Sequence, residues 1–582
     1  YNLKDVLIEK IPPEQYVSTM ENPYLVAMSS YIWNWEYNKE LAKQIKIKFP
    51  NCKIVTGGPQ VSKHDPDLCK KLPMFDCFVH SEGENAFADI LAGKNWNDIP
   101  NVQTPTKMAK PAQRRKNIND IPSPILEGFY DPIMAKYPKD TMWQISYETL
   151  RGCPYHCAFC DIGDSYWNKL TLFDIDRVKA EIDWMGKNQI EYVGVCDSNW
   201  GLLERDKEIT QYILDTKAKY GYPRWWDAAW AKNNVGRNFE IAMLNKTSGG
   251  NIFKGVTFAM QSFNDNTLEA SKRFNINDQQ VAEYLKRYQE EGIPTYSELI
   301  WPMPEETYDS LKKGIQQLID LGQDSFLMIH PLVITDNATM GNAQYQEKYS
   351  IEVKKVPLDT YYLSTNDLEN YIVEYTDAVY STKTADWNTV LRGNMYAWIL
   401  ILMYYYGWGH YLAKYMRKQG VAETDLFESM LTWIENSKHT LLYKEYFETK
   451  EHIHNTFHKK QFWGRQVYGS SDIYWEYKGA SSCVLHDNRD TLKKELAMFL
   501  NDVYNVQDAD SVVELNLLMT RDKNTKYPIE VKTKSNIARD MLDIDRDLLI
   551  INHDDVSKPD GSWYLKAYHY NRKLSYWRCN AS

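Results

Sequence analysis

Cys153, Cys157 and Cys160 stand in one run, Arg151-Gly-Cys-Pro-Tyr-His-Cys-Ala-Phe-Cys-Asp161, just after an apolar, strand-like stretch that starts at Trp143. Three thiolates spaced Cys-x3-Cys-x2-Cys can hold three irons of a [4Fe–4S] cube and leave the fourth iron open to a small molecule. A catalytic metal keeps one open position by the same logic. The chain holds 9 cysteines in 582 residues, and chance would place this triplet only about 0.002 times. The competing readings are three buried cysteines at a strand end, or a zinc site completed by a remote fourth ligand. Zinc usually takes its cysteines as two Cys-x2-4-Cys pairs. The Arg-Gly before the first cysteine and the aromatic Phe159 before the last also weigh against both.

Those thiols need a frame. Beyond them, strand and helix patterns alternate to about residue 335. Strands are predicted at 191–196, 222–230, 255–260, 293–301 and 325–333, after the one that precedes the cysteines. Helices are predicted over 174–185 and 205–220; in the first, Ile175, Val178, Ile182 and Met185 recur every three to four residues. Six strand–helix units predict a barrel whose active site lies at the C-terminal strand ends. The polar residues there are the site candidates: Asp197, Ser198 and Asn199, the Ala231-Lys-Asn233 end of the third strand, and Gln261 with Ser262. Cys196, at another strand end, reads as a small buried hydrophobe or a fourth thiol.

Residues 22–90 alternate too. Short apolar runs at 24–30, 53–58 and 75–80 read as buried parallel strands. A helix over 36–49 sets Leu41, Ile45 and Phe49 on one face, and another starts at Asn85. This predicts a doubly wound (Rossmann- or flavodoxin-like) parallel sheet, whose ligands sit at the carboxyl ends of strands. Ser29-Ser30, Gly57-Gly58 and Gly83 fall at such ends. From about 345 the pattern turns helical and aromatic, over 368–381, 387–417 and 425–435. Residues 480–582 are predicted as a small α+β appendage, with a helix at 490–503 and strand-like runs at 511–519 and 527–531. The domain plan is therefore 1–95 for the first sheet, 96–140 for a linker, 141–340 for the barrel, 341–475 for a helical region and 476–582 for the appendage. The histidines at 452, 454 and 458 lack a glutamate in zincin position and read as a helical surface.

The cysteine run resembles the radical SAM superfamily, whose hallmark is Cys-x3-Cys-x-aromatic-Cys after the first strand of a partial (β/α)6 barrel. The resemblance implies a [4Fe–4S] cluster on Cys153, Cys157 and Cys160. Its open iron would chelate S-adenosylmethionine (SAM), and one electron would cleave SAM to a 5′-deoxyadenosyl radical. It further implies that Phe159 and Asp161 flank SAM and that Asp197, Ser198 and Asn199 meet its amino group, although the usual Gly-Gly-Glu is absent. Gln261 and Ser262, followed by Leu268 and Arg273, resemble a Gln-Ser…Leu…Arg pattern near the SAM ribose and carboxylate. Glu298-Leu-Ile-Trp-Pro-Met-Pro-Glu-Glu-Thr307 resembles a Glu-Leu-Ile-x-Gly-x-Pro-Gly-Glu-Thr stretch with both glycines replaced.

The N-terminal stretch is similar to the cobalamin-binding domain that precedes many radical SAM domains. Ser29, Ser30 and Trp33, then Gly57, Gly58 and Pro59, then Gly83 and Glu84 carry that likeness. No Asp-x-His-x-x-Gly motif supplies a lower axial histidine, and His64 and His80 read as surface or core residues. Only 21 residues precede Asn22, fewer than the family's first strand and helix occupy, so a truncated N-terminus is expected. The implied function is cobalamin-dependent methylation of an unactivated carbon in a small molecule or peptide, with an external electron donor such as flavodoxin or ferredoxin. No catalytic acid, base or second radical residue can be named from the sequence. The alternatives are a radical SAM cyclase, rearrangement enzyme or epimerase without methyl transfer, and a non-catalytic metal-binding protein.

Bulk properties narrow the field. A net charge of −10 argues against a nucleic-acid binder. Apolar content of 43% and charged content of 25% are those of a folded chain. The longest apolar run, 395–409, is shorter than the roughly 20 residues a bilayer span needs and reads as a buried helix, so no stable membrane insertion is expected. The cysteines form no repeating framework, which fits a reducing compartment. The chain opens on Tyr1 without a basic or apolar leader, and a cytoplasmic location is expected.

Overall fold

The computed structural model describes residues 3, 5–110, 113–358, 371–465, 475–522 and 525–552. Apolar runs of three to five residues, too short for helices and flanked by turns, form the first sheet. β1 (Leu25–Ser29), β2 (Lys53–Gly57) and β3 (Cys77–Val79) are parallel and ordered β1-β2-β3. β4 (Val102–Gln103) pairs antiparallel with β3, so the sheet takes its edge from the stretch expected to be a linker. The helix Trp35–Lys48 buries Leu41, Ala42 and Ile45 in a cluster with Ile54 and Phe78. Glu84–Leu91 buries Ala86 and Ile90 in a second cluster with Val55, Cys77 and Val79. Adjacent residues of β2, Ile54 and Val55, thus enter different clusters, because side chains alternate across a strand.

Two further three-stranded parallel sheets come next. The first orders β5 (Trp143–Tyr147), β8 (Ile190–Val195) and β9 (Trp225–Asp227). The second orders β10 (Val256–Gln261), β11 (Thr295–Trp301) and β12 (Leu327–Pro331). Between β5 and β8 a small antiparallel pair, β6 (Leu150–Arg151) with β7 (Thr171–Leu172), closes the cysteine loop. Helices Ile175–Lys187, Arg205–Tyr220, Val235–Thr247, Asp278–Glu290 and Tyr308–Asp320 alternate with these strands. The third strand is shorter than expected.

Burial alternates along β11. Val193, Trp226, Phe258, Leu299 and Leu327 are buried in the core, whereas Tyr192, Ala259, Glu298 and His330 are partly open and Asp227 is exposed. β10 carries a bulge between Ala259 and Gln261, and Gln261 takes a left-handed φ of 66°. Bulges re-aim the residue at a strand end.

The C-terminal half corrects three expectations. Residues 375–381, expected to be helical, form β15 (Tyr375–Ser381), the middle strand between β13 (Val333–Ile334) and β14 (Glu352–Pro357). Partners on both edges outweigh a weak helical spacing; the expected helical residues 368–370 lie outside the described residues. The expected strand at 511–519 is instead the helix Ala509–Leu518. A continuous apolar run fits either buried element, and periodicity alone does not separate them. The expected helix over 387–417 is broken. Trp387–Leu400 passes into a π-helical turn, Ile401–Tyr405, and His410–Lys418 restarts after Gly407 and Gly409. All of 395–406 is buried, as expected for that run. Among the described residues no helix is long and apolar enough to cross a membrane.

One hydrophobic cluster runs from Ile118 through the six strands to Ile551. The helical region and the appendage therefore share the strands' core. His452 is buried against the Trp463 carbonyl (2.8 Å), while His454 and His458 stack on each other at 4.2 Å.

Candidate functional site

The cysteine loop is fixed at its base by backbone. Asp197, just beyond β8, accepts from the Thr149 and Leu150 N–H groups (2.8 and 3.2 Å) and from the Thr149 hydroxyl (2.5 Å). Cys153 N–H donates to the Trp167 carbonyl at 2.9 Å. Gly152 has φ +112°, where a Cβ would collide with the Lys169 carbonyl; only glycine accepts that conformation without strain. Farther along, Ala158 N–H donates to the Ser271 carbonyl and Met340 N–H to the Ala158 carbonyl, both at 2.8 Å. Parts of the chain far apart in sequence thus set where the three sulfurs sit.

The sulfurs meet donors from the segments that follow three successive strands. Asn199, after β8, donates its amide to Cys153 Sγ at 3.2 Å. Lys232, after β9, places Nζ 3.6 Å from Cys157 Sγ. Arg273, beyond β10, places a guanidinium nitrogen 3.7 Å from the same sulfur. Cys153 and Cys157 are buried, and burial, with the neighbouring Cys157, Cys153 and Asp161, pushes the Cys160 thiol up to about 11.

This donor set fits an iron–sulfur cluster. Hydrogen bonds and positive charge at thiolate sulfur stabilise an anionic cluster and tune its potential. Among the described residues no three Cys, His, Asp or Glu side chains converge as ligands of one ion must. Thiolates that each bind a different iron of a cube do not need to.

The other expected SAM residues divide. Gln261 Oε1 is buried without a hydrogen-bond partner among the described residues, and Glu298 is partly open, 3.8 Å from His330 Nε2. Ser198 and Phe159 are partly buried beside the loop, and Phe159 packs against the cluster that holds Ala158 and Met340. Asp161 is raised above the ordinary carboxylate value by burial, against the opposing Lys63 charge. Two of the expected residues are engaged within the protein. Asp197 accepts from Thr149 and Leu150 and so braces the loop. Ser262 is 3% exposed and bonded to the Glu306 carboxylate; Glu306 also takes the Ser310 hydroxyl of the helix that Thr307 caps.

The strand ends of the first sheet face the same loop. Arg151 pairs with Glu148 (2.6 Å), with Glu84 (2.7 Å) and with Glu82 (3.4 Å). Lys63 pairs with Asp164, and Asn337 donates to the Pro59 and Val61 carbonyls at 2.8 and 3.0 Å. Of the residues expected to meet a corrinoid, Ser29, Pro59 and Trp33 are exposed, and Trp33 stacks on Tyr31 at 4.5 Å. Gly57 and Gly83 line the same edge and are partly buried.

Three of that set are engaged within the protein. Ser30 is fully buried between Thr56 and Asn38, Gly58 at φ +116° packs onto the Ser30 backbone, and Glu84 is held by Arg151. His80 Nε2 bonds Gln103 Oε1 at 2.9 Å and is buried.

The roles of Lys232 and Glu148 are not legible in the sequence. Lys232 lies at a predicted strand end, and that position is its only signal.

Residues 147–318 match the sequence model of the Radical SAM superfamily. The chain is 32% identical over 362 residues to the cobalamin-dependent radical SAM methyltransferase TokK of Streptomyces tokunonensis, covering 60% of this chain and 53% of the relative. It is 33% identical over 349 residues to the 2-(S-pantetheinyl)-carbapenam-3-carboxylate methyltransferase of Streptantibioticus cattleyicolor, covering 58% and 51%. The radical SAM methyltransferase TsrM of Kitasatospora setae, solved with tryptophan and a SAM analogue, aligns over 56% of this chain and 66% of that one at 17% identity and a TM-score of 0.42. The chain spans about half the length of the curated relatives it matches.

Proposed function

We propose that this chain, whose residues 147–318 form a radical SAM domain, is a cobalamin-dependent methyltransferase acting on an unactivated carbon of a small molecule or peptide. The observation that carries the proposal is the convergence of Asn199, Lys232 and Arg273 on the sulfurs of a glycine-pinned cysteine loop, with the strand ends of a parallel sheet docked against that loop. The two three-stranded parallel sheets are read as halves of one partial (β/α)6 barrel, and the first sheet as a corrinoid-binding domain.

When bound, the cluster and SAM supply a 5′-deoxyadenosyl radical and the corrinoid supplies a methyl group; the protein positions them and excludes side reactions. Cys153, Cys157 and Cys160 hold the cluster. Gln261 at the end of β10, Glu298 within β11 and Arg273 beyond β10 are the residues offered to SAM, and Ser29, Trp33 and Pro59 offer the exposed edge for the corrinoid. An external one-electron donor of the flavodoxin or ferredoxin class serves the cluster.

Anaerobic reconstitution with iron, sulfide and hydroxocobalamin tests this. The expected result is a bound cluster, a bound corrinoid and 5′-deoxyadenosine on reduction, each Cys→Ser variant lowering deoxyadenosine by at least about 100-fold. Bound zinc without iron or sulfide would refute the radical reading. Deoxyadenosine formation without corrinoid binding would replace methylation by a rearrangement, cyclisation or epimerisation.

A further inference from the structure

Two cations bracket Cys157 Sγ, and they are held differently. Arg273 is 6% exposed and locked. Its Nε donates to Asn275 Oδ1 at 3.1 Å, and a second nitrogen donates to the Ala259 carbonyl at the β10 bulge. Lys232 has no such lock. Its Nζ lies 3.6 Å from Cys157 Sγ and 4.0 Å from the centre of the Tyr155 ring. Among the described residues no carboxylate lies within ion-pair distance of it. A partly buried ammonium with no anion beside it is costly, and the cost is offset once a negative charge is set against it. Among the described residues near it, the groups that gain negative charge on binding a metal cluster are the thiols.

Tyr155 belongs to the cysteine loop, between the first two thiols. Its ring face attracts the ammonium and turns Nζ toward sulfur. The lysine backbone is anchored as well, because Ala231 N–H donates to the Trp200 carbonyl and Trp200 bridges Trp230 in parallel. Lysine and ring thus meet from two elements, and both are held.

We infer that Lys232 is a positioning residue for the iron–sulfur cluster, which fixes the Cys157 thiolate and raises the cluster's reduction potential, with Tyr155 orienting its ammonium. The inference rests on the cluster reading above. Its physical basis is that an added electron makes the cluster more negative, so a fixed positive charge at one thiolate stabilises the reduced form more than the oxidised form. Charge and hydrogen bonds at cluster sulfurs are known levers on the potential.

The test uses the full chain, reconstituted anaerobically, with iron and sulfide counted and the midpoint followed by EPR-monitored redox titration without SAM. K232M should keep its iron, while its ratio of reduced to oxidised cluster at a fixed potential falls about tenfold. K232R should restore most of that ratio. Y155L, which leaves the ammonium in place but unclamped, should shift it the same way by less, and it serves as the readout if K232M fails to retain iron. An unchanged midpoint in a fully loaded K232M overturns the inference and leaves the cluster reading intact. Weaker SAM binding with an unchanged midpoint also overturns it, by assigning Lys232 to the ligand. Failure of the wild-type chain to take up iron overturns the parent reading and this one together.

Discussion

Gly152 shows how one residue type decides the site. Its φ of +112° and its contact with the Lys169 and Trp167 carbonyls leave no room for a side chain. The next residue is the first thiol. G152A should therefore displace Cys153 while the rest of the fold persists. The expected outcome is iron retention against a chelator weakened by about tenfold or more, the cost of disturbing a ligand's support, with an unchanged far-ultraviolet circular dichroism spectrum. Gly163 is a parallel case, because a Cβ there would collide with the Cys157 carbonyl. The glycines and thiols of this loop act as one unit, and neither set builds the site alone.

At the scale of elements, two buried aspartates tie strand ends to neighbouring turns and helices. Asp197 braces the turn into the cysteine loop, and Asp206 accepts from the Gly201 and Leu203 N–H groups, both at 3.0 Å, at the start of Arg205–Tyr220. Burial pushes each up to about 6, against those hydrogen bonds. Between the ordinary carboxylate value and about 6, the native state holds protons that the unfolded chain has released. The stability the two groups contribute is therefore full below the unfolded value and is lost as pH rises through the folded one. D206N, neutral at every pH, should remove about half of that slope between about pH 4 and 6, read as urea midpoints across the range. The β10 bulge works at the same scale, since it turns Gln261 and engages Arg273 through the Ala259 carbonyl.

For the whole molecule, the C-terminal half shares the core of the six strands and supports them. Trp301, 1% exposed on β11, donates its indole N–H to the Val390 carbonyl at 3.1 Å. A Cβ at Gly393 would run into the same ring. G393A should cost about 1–3 kcal/mol, the range for overpacking a filled core, measured by chemical denaturation, and should also lower deoxyadenosine formation if, as proposed above, Glu298 of β11 serves SAM. Glu374 makes a second long-range link. Its buried carboxylate accepts from the Glu36 and Tyr37 N–H groups (2.7 and 3.1 Å) at the start of Trp35–Lys48. A carboxylate at a helix N-terminus is favourable, and this one lies 338 residues away in sequence.

The sequence by itself determined the thiol triplet and the six alternating strands, because those rest on local spacing and on a period of two or 3.6 residues. It did not determine which strand-end side chains face the thiols. Asp197 and Ser262 were as legible as Asn199, yet backbone N–H groups and Glu306 engage the first two, while Lys232 and Arg273 reach sulfur. Nor did it separate the helix at 509–518 from a strand, or the strand at 375–381 from a helix, because an apolar run states that it is buried but not what lies beside it. Only the tertiary structure decided those points: hydrogen-bond partners and neighbouring strands come from distant parts of the chain, and they satisfy one polar group by denying it to another.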